Sequence, residues 1–250
     1  MTCRYLFLLS GFVLSGCVNL KTAGCKSTDT PASVTAADII APPSGVQTSL
    51  TDTYTPTKYL AVGSEGVNMH VFGTAGVSDW MMVQTHEMAK NVVAGIASES
   101  NRSKLSGHEF IVITDADPEL PGGKPGQRNT GNESVTLINE VLVCATAVDT
   151  IRPDNAPEYR AWDTPIHEFG HSVERALGLK PLTMSLEKKE NPDYDDQVSD
   201  EYFAWATQNW FNANLQGKCG LDSIHAFERN YLYSIYKSSE VWKPTCEGRP

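Results

Sequence analysis

The chain has 250 residues, 40% of them hydrophobic and 20% charged, which is globular composition and enough length for one large domain or two small ones. Thirty acidic against twenty Lys and Arg side chains give a formal net charge of -10. Such a surface repels phosphate backbones and argues against nucleic acid as a partner. Beyond the N-terminus no stretch approaches the ~20 apolar residues needed to span a bilayer.

Residues 1–24 read as a signal peptide. Arg4 supplies a positive start, Tyr5 to Leu14 form a short apolar run, and Ser15 and Gly16 offer small residues for cleavage. The expected location is therefore extracellular. "LSGC" also suits a bacterial lipoprotein signal, in which Cys17 would carry lipid and anchor the protein. Of the six cysteines, Cys3 leaves with the signal. Cys25, Cys144, Cys219 and Cys246 suit two disulfides in an oxidising compartment, with Cys219–Cys246 and Cys25–Cys144 the favoured pairing of three. No CxxC spacing points to thiolate metal binding.

Residues 25–57, rich in Thr, Ser, Ala and Pro without sustained periodicity, read as a flexible leader. A single domain is expected over residues 58–250. "VNMHVFG" suggests a strand. "DWMMVQTHEMAKNVVAGIAS" suggests a helix with Met82, His86, Met88, Val92 and Ile96 near one face. "HEFIVIT" is a second strand, a short run rich in β-branched residues. Residues 117–134 form a Gly/Pro-rich loop, and "VTLINEVLVCA" is again strand-like.

The next segment, "DTPIHEFGHSVERALG", is punctuated as a helix. Thr164 can cap it and Pro165 suits its first turn, where a missing N–H costs nothing. Gly178 can end it in a left-handed conformation, and Pro181 blocks continuation. Ile166, Phe169, Val173 and Leu177 make its apolar stripe. Further helices are expected in "SDEYFAWATQNWFNANL" and "DSIHAFERNYLYSIYK".

His167 and His171, four residues apart, lie on one helical face, one turn above each other, so both imidazoles can converge on one ion. Glu168 neighbours them without being placed to ligate. Zinc lowers the pKa of its water towards ~7, and a carboxylate there can take the proton during attack on a carbonyl. His86-Glu87 is an internal control: four residues after His86 stands Lys90, which cannot ligate while protonated, so this pair reads as structural.

A catalytic zinc wants three protein ligands and one open position. Six residues after His171 stands Leu177, so the third ligand must come from Asp193, Asp195, Asp196, Asp200 or Glu201. Glu201 is favoured because it opens an aromatic-rich helix, with Asp200 as the substitute. The plainer role for both is to complement a helix dipole.

"HEFGH" followed by "EYFA" resembles the glutamate-zincins (gluzincins), in particular the lethal-factor-type metallopeptidases and a group of related secreted HExxH proteins. The similarity covers residues 162 to 211. It implies His167, His171 and Glu201 as zinc ligands and Glu168 as general base. It also implies Tyr194, seven residues before Glu201, as a catalytic hydrogen-bond donor to the oxyanion. The chain departs from the lethal-factor pattern at Trp205, where that pattern has a second glutamate.

The expectation is an α+β, zincin-like fold: a small mixed sheet with a backing helix, the HExxH helix, then a C-terminal helical part. The expected activity is that of a monomeric, secreted metallopeptidase with one Zn2+ per chain, acting on a peptide or protein substrate laid against a sheet edge. The alternative is a catalytically inactive, zinc-containing extracellular binding or toxin-like module.

Overall fold

The computed structural model describes residues 34–119, 129–132, 134–140, 163–179, 199–211 and 226–237. They form an α+β architecture with one five-stranded mixed sheet and five α-helices among the described residues. In chain order these are β1 (Lys58–Ser64), β2 (Val67–Gly73), α1 (Asp79–Gly95), α2 (Glu99–Ser103), β3 (Glu109–Ile113), β4 (Thr130–Gly131), β5 (Val135–Asn139), α3 (Asp163–Leu177), α4 (Ser199–Trp210) and α5 (Ala226–Ile235).

The sheet order is β1-β2-β3-β5-β4. β1 and β2 form an antiparallel hairpin closed by Glu65 and Gly66, both at positive φ, the backbone that matches strand twist in a two-residue turn. β2, β3 and β5 run parallel, and β4 returns antiparallel along the outer edge of β5. The chain passes from β2 to the parallel β3 through α1 and α2, as a parallel pairing requires.

β3, "EFIVI", is apolar on both faces, and both faces are covered. Phe110 and Val112 point into the larger core with Met82, Met88, Ile166, Phe169 and Val173. Ile111 and Ile113 point the other way, to Tyr54, Tyr59, Phe72 and Leu137, with Val46 and Leu50 packed against them. Part of the stretch expected to be a flexible leader is therefore a cover for the sheet. Val46, Leu50 and Tyr54 recur every four residues and bring apolar surface to the second face. Glu109 secures that cover, accepting from Thr48 Oγ1 at 2.7 Å, Ser49 N at 2.8 Å and Ser49 Oγ at 3.0 Å. Ile40 bridges to Tyr59 at the other end. Composition missed this because its apolar residues are few among Thr, Ser and Pro.

α3 begins at Asp163, so Thr164 lies inside its first turn rather than capping it. Its end is as expected: Gly178 takes φ +62, its N–H bonds to Arg175 O, and Leu179 N–H bonds to Glu174 O. These two bonds satisfy carbonyls that the last turn would otherwise leave open. The strand-like run after residue 134 ends at Asn139, and all six cysteines lie outside the described residues.

Candidate metal centre

α3 is held between the sheet and α4. Its stripe of Ile166, Phe169 and Val173 is buried, with Phe169 edge-on to Phe110 at 4.8 Å between ring centroids. Ser172 reaches Thr136 of β5 at 2.7 Å, and Thr136 also meets His108 at 2.8 Å. Two glycines set how close the neighbours come. A Cβ on Gly131 of β4 would overlap the Glu168 carbonyl oxygen, so the edge strand lies directly against the helix. A Cβ on Gly170 would stand 2.9 Å from the Ala204 Cα, so the fourth residue of "HEFGH" is what lets α4 approach.

That approach brings Glu201 to the two histidines. Glu201 Oε2 lies 2.7 Å from His167 Nε2 and 3.6 Å from His171 Nε2, and the two Nε2 atoms are 3.2 Å apart. Ligands at 2.0–2.1 Å in a tetrahedron are separated by about 3.3 Å, and the three observed edges bracket that value. His167, His171 and Glu201 thus form a group that can hold a metal ion, with a geometry compatible with zinc. Among the described residues no other His, Cys, Asp or Glu side chains assemble in this way.

The donor chemistry fits a cation as well. His167 Nδ1 lies 3.1 Å from Gln208 Oε1. An amide oxygen only accepts, so Nδ1 carries the hydrogen and the Nε2 lone pair of a neutral ring faces the Glu201 carboxylate. Two lone pairs at that distance need a positive charge between them, either a second proton on His167 or a metal. The ion-free electrostatics show the demand. Burial lowers the His167 pKa, but Glu201, Glu168 and Gln208 outweigh it and leave it raised. Hydrogen bonds from His167 and His171 hold Glu201 far below the usual carboxylate range, even though its side chain is 43% exposed.

Glu168 stands apart. It is not in the ligand group, yet it feels His167, His171 and Glu201 electrostatically. Burial pushes its pKa up despite the two imidazoles, which makes it a stronger base than an ordinary carboxylate. A group that ligates nothing, sits beside the cluster and binds a proton more tightly than usual can accept and return one.

The structure therefore brings together His167, His171 and Glu201, with Glu168 beside them. Tyr194 and the side chain of Asp200 lie outside the described residues, as do Asp193, Asp195 and Asp196. His86 and Glu87 are buried and bond to each other at 3.1 Å, and neither belongs to the metal-holding group. Trp210 is buried and Trp205 is exposed. Sequence reasoning overlooked Gln208, although its position seven residues after Glu201, two turns on, was a readable signal. It also overlooked Gly131, for which a lone glycine in a Gly-rich loop gave no hint. No protein-family model, curated protein or solved structure matches the chain, so its site stands on its own residues.

Proposed function

We propose that the protein is a secreted, zinc-dependent metallopeptidase of glutamate-zincin type. The observation that carries this reading is the convergence of His167, His171 and Glu201 with Glu168 beside them but outside the ligand group. A metal held only for structure has no use for an adjacent, raised-pKa carboxylate. The short antiparallel edge strand β4, laid against the helix that carries the histidines, is consistent with a zincin-like fold and with an extended peptide binding alongside it. The apolar N-terminal run supports export.

Zinc, when bound, polarises the scissile carbonyl and acidifies a water molecule. Glu168 takes a proton from the attacking water and delivers it to the leaving amine, so one carboxylate serves as base and then as acid. His167 and His171 would hold the ion, the first aligned by Gln208. Glu201 contributes the negative charge that balances the ion.

The test is zinc content by metal mass spectrometry, paired with cleavage of a mixed peptide library. Wild type should carry near one zinc per chain, lost in His171→Ala and Glu201→Ala. Glu168→Gln should keep the zinc and lose about 10²–10⁴-fold in turnover. Absence of zinc in wild type after dialysis against it would overturn the metal centre. Zinc with no cleavage of any peptide would leave a binding module in place of an enzyme.

A further inference from the structure

The helix face that supplies Glu201 also carries a residue that neither ligation nor proton transfer uses. Glu201, Trp205 and Gln208 stand at i, i+4 and i+7 of α4, hence on one face. Glu201 touches His167 Nε2 and Gln208 touches His167 Nδ1. Trp205 lies between them along the helix, its ring centroid 6.4 Å from that of His167 and tilted at 49°. On either side Phe203, Ala204, Ala206, Thr207 and Trp210 are buried, whereas Trp205 is 42% exposed. The other large exposed hydrophobic side chains among the described residues are Ile40, which bridges to β1, and Tyr233, whose ring packs on Trp210. An indole has no lone pair to offer a metal and no proton to exchange near neutral pH. Its ring left open to water beside the candidate ion is a place for an apolar group to land.

Resting on the metallopeptidase reading, we propose that Trp205 is a specificity residue that selects substrates with an aromatic side chain flanking the scissile bond. An aromatic ring of the substrate packs edge-on or offset against the indole while the carbonyl beside it reaches the ion. A chain with alanine at that position leaves the indole wet. Aromatic pairs favour these geometries and gain affinity beyond the area they bury. The acidic surface adds a bias against negatively charged peptides.

The test uses full-length, zinc-loaded protein and two metal-chelating probes, phenylalanine hydroxamate and alanine hydroxamate, titrated by calorimetry so that no turnover is needed. Wild type should bind the phenylalanine probe about tenfold more tightly than the alanine probe. Trp205→Ala should bring the two affinities within about twofold, chiefly by weakening the phenylalanine probe, with zinc content unchanged. Trp205→Phe should retain most of the preference. Equal affinity of wild type for the two probes, or a preference that survives in Trp205→Ala, would overturn the assignment while leaving the metal centre intact. A wild type that holds no zinc, or zinc that binds neither probe, would overturn the metallopeptidase reading and this assignment with it.

Discussion

The chain contains the same dipeptide twice in helices, His86-Glu87 in α1 and His167-Glu168 in α3, and the two sites have opposite character. In α1 the pair closes on itself. His86 Nδ1 lies 3.1 Å from Glu87 Oε1, both side chains are buried, and burial lowers the His86 pKa despite the glutamate. In α3 the glutamate acts on the ring through its charge, and the ring's hydrogen bonds go elsewhere: to Gln208 through Nδ1, and to His171 and Glu201 through Nε2. Its pKa is raised. A histidine becomes a candidate ligand when its second nitrogen is aimed by a neighbour and its first meets other donors. An adjacent glutamate alone leaves a buried pair closed on itself.

The sharpest way to break the contrast is Gly170→Ala. The new methyl would press on the Ala204 backbone and push α4, with Glu201, away from the histidines. A loss of about 1–3 kcal/mol in unfolding free energy is expected, as for overpacking elsewhere. Weaker zinc binding should accompany it, read by competition with a chelator. Unchanged zinc affinity would mean that the α3–α4 approach does not set the site.

His86→Ala tests the other pair. It strips Glu87 of the nitrogen it faces and opens a gap in α1, with an expected cost of about 2 kcal/mol near pH 7.5 and no effect on zinc content. The cost should also depend on pH. In the folded protein His86 resists protonation, whereas in the unfolded chain it takes a proton near its ordinary value of 6.5. Wild-type stability is therefore lost as pH falls below 6.5, towards the lowered folded value. The difference between wild type and His86→Ala should shrink over that range in thermal melts. A gap that widens on acidification would contradict the buried, neutral assignment. The groups that act on this ring are Glu87 and Lys90 of its own helix, Ala61 O of β1 and Asp38 of the 3-10 turn Ala36–Asp38.

The smallest expected effect belongs to Gln208→Leu, which removes the acceptor that orients His167. Losses of partners that orient metal ligands typically weaken metal affinity by about tenfold or more, so zinc should bind about tenfold less tightly with the fold unchanged. Gln208→Glu should restore or exceed wild-type affinity, because a carboxylate there makes the imidazole a better donor. Equal affinity in all three proteins would reduce Gln208 to packing.

Local rules reached far along this chain. The strand Glu109–Ile113 lies where its β-branched run predicts, and α3 ends at Gly178 in the left-handed backbone that its glycine permits. The four-residue spacing of His167 and His171 is helical geometry written directly into sequence. The leader was misread because Val46, Leu50 and Tyr54 make sense only against a sheet whose second face needs cover. β4 escaped notice because a two-residue strand has no periodicity to detect. Glu201 could be favoured over its acidic neighbours but not chosen on spacing, since its distance from His171 along the chain carries no rigid geometry.

What the sequence determined by itself is whatever depends on neighbours within two helical turns: the long helices, the glycine stop of α3, the shared face of the two histidines and the placement of Glu168 beside them. The tertiary structure alone brought Glu201 to the two histidines, set Gln208 against His167, and closed His86 on Glu87 while His167 turned to partners on α4. Those choices depend on how closely α4 and β4 approach α3. The approach distance is set by the absence of a methyl at Gly170 and Gly131, and it becomes legible only once the partner backbones are in place.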